Sequence, residues 1–583
     1  MKKKGTRYVA RRLWSYIGNY RAKMLVAGAL MLASHLLLLL VPLLSGEAID
    51  AIGIRAGGVN FPAVFRYCLL MLACYAVSSA LSYVLSVSLI RMSQDISAKL
   101  RKDIFERFVR LPVSFYDRHP VGDIISCICY DVDTVNASLS TELLQICVSV
   151  ITVLGSLVML VLLSPVLSLV VIVTVPITVV FSRRRMRKLQ ELFRVRSHKL
   201  GALNGLVEES MSAQKTANVY SCEEAMIDRF EEKNADAIHA YYIADYKSCV
   251  LGPCVNFINN ISLAAGSALG VVLCLTGRLT LGAVSSFVLY SRKFSGPIRE
   301  AANIASEIQA AAAAAERVFR FMDEPMETPD IPHAHSMDNV SGAVAMEDVC
   351  FGYEEGSTVL NNLTIDVPRG SVVAIVGPTG AGKTTIVNLL MRFYDSNAGR
   401  ITVDGQDICK AIRKDLRLSY AMVLQDTWLF RGSIYDNIAY GNPAATRAQV
   451  EEAARAAKIH SFIMSLPLGY DTMLDDDSVN ISKGQKQLFT IARAMLIDAR
   501  MLILDEATSN VDTQTEIEIN EAMQRLMRDK TCFVIAHRIS TIEHADKILV
   551  MDAGQVVEQG THAELIAKKG LYQSIYSSQF EIY

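Results

Sequence analysis

Gly377-Pro378-Thr379-Gly380-Ala381-Gly382-Lys383-Thr384 decides how the C-terminal half of this chain folds. The stretch fits GxxxxGK[ST], and its surroundings give the pattern meaning. An apolar, β-branched run, Val372-Val373-Ala374-Ile375-Val376, precedes it, and a helical window from Thr385 to Arg392 follows. A glycine-rich turn between strand and helix aims backbone N–H groups at phosphate oxygens, and the helix N-terminus adds positive potential. Gly377 to Thr384, with Thr385 behind them, are therefore expected to cradle phosphate. Lys383 would reach the outer phosphates, and the Thr384 hydroxyl would ligate Mg²⁺.

A second element lies downstream. Met501-Leu502-Ile503-Leu504-Asp505-Glu506 is four apolar residues ending in two acids. A buried strand there puts Asp505 at its C-terminal end, where it can hold Mg²⁺. Glu506 follows, placed to deprotonate an attacking water. Short β-branched runs alternate with helical windows over Ser371–Val376, Arg400–Val403, Met501–Leu504, Thr531–Ile535 and Lys547–Met551, an α/β pattern. It begins after a linker-like stretch with Pro325, Pro329, Pro332 and His333 to His335. The expected division is residues 1–325, a linker over 326–340 and an α/β unit over 341–583.

The N-terminal part has a different character. Of 583 residues, 51% are hydrophobic and 20% charged, with mean hydropathy +0.28, so a purely soluble enzyme is not expected. The net charge of -1 hides a basic first part (35 Lys+Arg against 25 Asp+Glu over 1–325) and an acidic remainder. Met24–Gly46, Tyr67–Ile90, Leu143–Ser182 and Ser248–Gly277 carry no charge. A spanning helix needs about 20 apolar residues. The 40-residue run Leu143–Ser182 reads as two helices turning at Ser164-Pro165. Leu279–Ser291 is shorter and is followed by Arg292, Lys293 and Arg299. A sixth span there would turn its charges to an aqueous cavity. The expected spans are about 24–46, 67–90, 143–163, 166–182, 248–277 and 279–303, an all-α membrane domain.

The basic segments Arg91–Thr141 and Arg183–Lys247, with Arg101-Lys102 and Arg183-Arg184-Arg185, mark the cytoplasmic side. Both termini then face the cytoplasm in a plasma-membrane, multi-pass protein. The two segments read as long helices extending beyond the bilayer, reversing near Gly122-Asp123 and near Tyr220–Glu224, and offering a contact surface to the C-terminal half. His35, within span one, is expected to hydrogen-bond between helices. The basic balance would also suit nucleic acid, but the apolar runs do not, and no nucleic-acid partner is expected. Twelve scattered Cys without CxxC spacing give no reason to expect zinc or a disulfide framework.

Taken together these features resemble the ATP-binding cassette (ABC) transporters, specifically half-transporters of the exporter type. The resemblance covers nearly the whole chain. Its most specific element is Ile481-Ser482-Lys483-Gly484-Gln485, similar to the family's signature loop, LSGGQ. It implies an ATPase with ATP and Mg²⁺ as ligands, working as a dimer in which Ser482, Gly484 and Gln485 of one chain meet nucleotide held by the other. It further implies that Tyr353 stacks on adenine. Gln425 resembles the glutamine near Mg²⁺, Asp512 lies in a loop resembling the D-loop, and His537 resembles the switch histidine at the γ-phosphate. Leu111–Asp117 with Gly122-Asp123 resembles the first cytoplasmic loop, and Tyr290–Pro297 the inner part of the sixth helix.

Lys483 stands where the family usually has Gly, and Leu474–Asn480 lacks the usual Gly-Glu-Arg-Gly. An altered signature beside intact Glu506 and His537 fits the competent subunit of a heterodimer, favoured here over a homodimer. The expected activity is ATP-driven movement of a hydrophobic or amphipathic substrate, most simply export. An exporter-fold importer of a metal chelate, a lipid flippase and a non-transporting ATPase are the alternatives.

Overall fold

Apolar runs far too long for a soluble core shape the N-terminal part of the chain. The computed structural model describes residues 6–53, 59–293, 295–354, 356–424, 427–474, 481–505, 513–535 and 542–580. The chain divides into two units, Met1–Arg110 with His119–Glu324, and Leu111–Arg118 with Pro325–Tyr583.

The first unit is helical among its described residues. Its helices are α1 (Thr6–Ile17), α2 (Arg21–Asp50), α3 (Phe61–Phe108), α5 (Val121–Ser126), α6 (Val132–Ala137), α7 (Leu143–Leu163), α8 (Pro165–Ser212), α9 (Gln214–Tyr220), α10 (Glu223–Cys249), α11 (Leu251–Leu275), α12 (Leu281–Arg292) and α13 (Ser295–Met322); α4 (Val113–Arg118) belongs to the other unit. Two π turns, Cys127–Asp131 and Ser138–Glu142, join α5, α6 and α7 into one run. Among the described residues, five helical stretches are long and apolar enough to cross a membrane: Arg7–Asp50, Phe61–Phe108, Val121–Leu163, Pro165–Ser212 and Glu223–Leu275. The apolar run Leu143–Ser182 divides at Ser164, which is extended and whose Oγ accepts from Leu167 N at 3.4 Å.

Two local expectations change. The break placed at Gly122-Asp123 falls earlier, over 109–120, and Gly122 lies inside α5. Pro120 is the reason: it lacks an N–H and sits extended (ψ 140°) as the cap before α5. His35 bonds not to another helix but back to Met31 O of its own, at 3.0 Å. At the other break, Ser221 ends α9 with φ 51°, in the left-handed region.

The second unit is built on three sheets. β2 (Leu360–Val367), β1 (Val344–Phe351), β4 (Ala398–Val403) and β5 (Gln406–Asp407) form an antiparallel sheet in that order. The main sheet runs β12 (Gln555–Gly560), β11 (Lys547–Asp552), β3 (Val372–Val376), β10 (Thr531–Ile535), β9 (Met501–Asp505), β6 (Tyr420–Val423). All its neighbours pair parallel except the edge strand β12. β7 (Gly432–Ser433) pairs with β8 (Met473–Leu474). Strands β3, β9 and β10 are almost wholly buried, as parallel strands covered on both faces must be. The helices are α14 (Lys383–Leu390), α15 (Arg413–Leu418), α16 (Ile434–Ala439), α17 (Arg447–Ala456), α18 (His460–Ser465), α19 (Lys483–Leu496) and α20 (Thr513–Met527), then His562–Lys568 and Leu571–Phe580.

Contacts within the second unit hold the linker stretch in place. Buried Arg413 reaches Asp330 Oδ1 at 3.0 Å and Asp395 Oδ2 at 3.4 Å, and also the Thr328 carbonyl. Arg417 pairs with Glu327 at 2.5 Å. Met337 and Val340 are buried in the apolar core between the sheets. The segment Leu111–Arg118 is fixed by Tyr394, whose hydroxyl donates to Asp117. Burial raises the Tyr394 phenol above its usual range, and that bond raises it further.

Candidate nucleotide site

Two strands of the main sheet end at the same side of it. β3 ends at Val376 and feeds the glycine loop, while β9 ends at Asp505. β10 lies between them, with Ile375 and Asp505 both opposite Ile535. The loop and the acid are therefore one strand apart at the carboxyl ends of parallel strands, where open α/β sheets bind ligands.

The loop's shape depends on glycine at two places. Gly380 (φ 86°) and Gly382 (φ 97°) are left-handed. A Cβ at Gly382 would also lie 2.7 Å from Leu360 Cδ2. Gly382 is the N-cap of α14 and offers no side-chain cap, so the first N–H groups of the helix meet no capping side chain. Lys383 folds back over the loop, its Nζ donating to Gly377 O at 2.6 Å and Pro378 O at 3.1 Å. Burial lowers its pKa from the ordinary lysine value, and the negative charge of Asp505 opposes that shift. Thr384 is exposed beside it, and Ala381 and Thr385 are buried. Thr379 and Pro378 complete the turn, with Ala381 N donating to Pro378 O at 3.2 Å. Hydroxyl and carboxylate oxygens beside a phosphate loop are the hard donors that Mg²⁺ takes, so Thr384 and Asp505 fit that ion.

Tyr353 lies at the side of this loop. Its hydroxyl is 3.1 Å from Thr385 Oγ1 and accepts from Asn388 Nδ2 at 3.1 Å. Its ring meets Phe351 and Tyr394 edge-on, at 5.0 and 5.1 Å between centroids. A cavity of about 440 Å³, lined by Tyr353, Gly352, Ser357 and Asn397 among others, adjoins it. Asn388 was not singled out from sequence. It lies one helical turn beyond Thr384 and Thr385, so the 3.6-residue period could have placed it there.

Ser482, Lys483, Gly484 and Gln485 open α19. Ser482 Oγ accepts from Gln485 N at 3.2 Å, and Gln485 Oε1 accepts from Ser482 N at 3.0 Å. This is a capping box, legible in sequence as S-x-x-Q. Lys483 is the first helical residue, exposed, with ordinary helical backbone, and Gly484 is buried. The Gly-to-Lys difference therefore costs no backbone strain; what it adds is a cation at the positive end of a helix. Gln425, Glu506, Asp512 and His537 lie outside the described residues.

Comparison with known proteins agrees with this geometry. Residues 24–298 match the ABC transporter transmembrane region, and residues 360–509 match the ABC transporter family model. An uncharacterized ABC transporter ATP-binding protein of Bacillus subtilis, YfiC, is 39% identical over 580 residues, covering 100% of this chain and 96% of the relative. A fatty acid ABC transporter ATP-binding/permease protein of Mycobacterium tuberculosis is 43% identical, covering 88% of this chain and 81% of the relative. An ATP-dependent lipid A-core flippase of Syntrophus aciditrophicus is 32% identical, with 96% and 91% covered. The solved structure of a bacterial Atm1-family ABC exporter with ATP bound superposes with a TM-score of 0.77 at 30% identity, covering 96% of this chain and 98% of that one. With both family regions in order on one polypeptide and full-length relatives, the chain belongs to the ABC transporters, as a multi-pass membrane protein with an ATP-binding, ATP-hydrolysing unit of the exporter fold.

Proposed function

We propose that the chain is a half-exporter that dimerises and moves a hydrophobic or amphipathic substrate outward by alternating access. The observation that carries this reading is the phosphate loop and Asp505, one strand apart on a parallel sheet, in a chain with five helices able to span a membrane. The exporter fold of its solved neighbour supports the direction. Relatives named for a fatty acid and for lipid A-core support a substrate with an acyl chain.

ATP supplies the phosphoanhydride whose cleavage drives the cycle, with Mg²⁺ held by Thr384, Asp505 and Gln425. Lys383 and the loop N–H groups orient the outer phosphates, and the face of Tyr353 takes the adenine ring. Glu506 holds the proton of the attacking water, and His537 sits at the γ-phosphate. Ser482, Gly484, Gln485 and Asp512 complete the site on the partner chain. α12 and the start of α13 form the sixth span, which sets the N-terminus and the nucleotide unit on the cytoplasmic side. The partner is a distinct half-transporter, because Lys483 alters the signature while Glu506 and His537 are of the competent type.

The test is ATP hydrolysis by this chain purified alone in lipid nanodiscs. Glu506→Gln should keep ATP binding and lower turnover by roughly 10² or more. Near-normal hydrolysis in that variant removes Glu506 from the role. Full activity of the pure single chain makes it a homodimer; ATP binding without turnover points to a missing partner, sought by co-purification.

A further inference from the structure

A proline inside a helix removes one N–H, and with it the donor for the carbonyl four residues earlier. Pro42 lies inside α2, so the Leu38 carbonyl loses the helical donor four residues on. Lys293, at the end of α12, supplies one: its Nζ donates to Leu38 O at 2.9 Å. Leu38 lies in the uncharged run Met24–Gly46, about 18 Å along the helix from Asp50 at 1.5 Å per residue. An unmet carbonyl and an ammonium are both costly at that depth, and each satisfies the other.

This contact ends a seam. Gly282 N donates to Asp50 Oδ1 at 2.7 Å, Ser286 Oγ to Pro42 O at 2.7 Å, and the Tyr290 hydroxyl to Leu39 O. Gly282, Ser286, Tyr290 and Lys293 recur every three or four residues and so share one face of α12. At Gly282 the backbones touch: a Cβ there would lie 2.0 Å from Gly46 O. Tyr290 and Phe287 are fully buried beside it. Every rung of this seam joins α12 to α2, and α13 starts afresh at Ser295.

We propose that Lys293 is a positioning residue whose ammonium replaces the amide hydrogen that Pro42 removes. It keeps α2 and α12 together as one body through the transport cycle. Lys293 is therefore a structural bolt and not a counter-ion for cargo.

Proline itself provides the test. Pro42→Ala restores an N–H for Leu38 O and makes the lysine dispensable. The full-length protein in nanodiscs would be compared as wild type, Lys293→Met, Pro42→Ala and the double variant. Amide hydrogen exchange of α2 and the kcat and KM of ATP hydrolysis are the readouts. Lys293→Met should lose about tenfold or more of the exchange protection around Leu38, the order expected for a charge-assisted bond. It should lower kcat while leaving KM for ATP within about twofold. Lys293→Arg, which keeps a donor, should retain most of the protection. The double variant should recover both exchange protection and kcat. A double variant as impaired as Lys293→Met, or a Lys293→Met variant indistinguishable from wild type, overturns the assignment. The kcat arm rests on the transport reading and the exchange arm does not, so failure of one is distinguishable from failure of the other.

Discussion

Two helices of the second unit, α14 behind the glycine loop and α19 behind Ser482, begin differently. α14 starts behind Gly382, a left-handed residue with no side chain to cap the helix. α19 starts behind Ser482, whose hydroxyl and the Gln485 amide close a reciprocal capping box. The first end would meet an anion with bare backbone N–H groups, supplemented by Lys383. The second has already satisfied part of its own backbone and would meet an anion with a hydroxyl and the charge of Lys483. One loop is thus a cradle that needs glycine geometry, the other a preformed helix start that carries a lysine at its first position.

The strongest way to break the comparison is at Lys383. Lys383→Ala removes a cation aimed along the cradle, and turnover should fall by about 10² or more, the scale for losing one preorganised electrostatic donor. The measurement is steady-state ATP hydrolysis in nanodiscs. The pH dependence has a defined sign. Burial lowers the Lys383 pKa, so nucleotide affinity should fall on the alkaline side before the ordinary lysine range of about 10.4 is reached. Lys383→Arg, always charged, should lack that limb in a nucleotide-binding titration. A wild-type limb that begins only in the ordinary lysine range of about 10.4 would mean that Asp505 cancels the burial.

A smaller effect belongs to Gly382. Gly382→Ala forces a Cβ into left-handed backbone, at roughly 1–2 kcal/mol, and presses on Leu360. ATP affinity should drop by about tenfold, measured by equilibrium binding, because only the cradle's shape changes. Ser482→Ala should cost about 1 kcal/mol of helix stability, the usual worth of an N-cap. Differential scanning calorimetry without nucleotide would show it, and Lys383→Ala under the same conditions should leave the second unit's midpoint nearly unmoved. If Ser482→Ala left the midpoint unchanged, the capping box would not be holding α19.

How much of this was legible beforehand differs by element for physical reasons. The glycine loop was readable because its chemistry is local: strand, turn, lysine and hydroxyl are consecutive. Asp505 was readable for the same reason, at the end of four apolar residues. The capping box is also local, an S-x-x-Q pattern that a signature resemblance overlies. Asn388 and Tyr394 were missed because their contacts depend on packing, with Tyr394 joining Tyr353 on one side and Asp117 on the other. The linker was legible as a prolyl stretch but not as a clamped one, since Arg413 and Glu327 are far apart in sequence. The break before α5 is set by Pro120, whose missing N–H ends the preceding segment, while Gly122 sits inside the helix. The sixth apolar segment was read from its charges, and its partner, a carbonyl freed by a proline 251 residues earlier, carries no sequence signature.

The finest test of the two helix ends is the charge on Lys483. Without nucleotide, a lysine at the first position of α19 opposes the positive end of the helix dipole. Lys483→Gln should then raise the melting midpoint of the second unit slightly, corresponding to about 0.3–1 kcal/mol. Glutamine keeps the length and helix preference of lysine, so the charge is isolated. With saturating Mg-ATP and the assembled dimer the sign should reverse, because a phosphate brought to this end turns the same cation from liability into ligand. The wild type would then gain more from ATP than the variant, and the difference should shrink as salt is raised. A variant that is more stable in both conditions would show that Lys483 never meets phosphate. In that case α19 would present its serine alone, and the contrast with the lysine-assisted cradle of α14 would be complete.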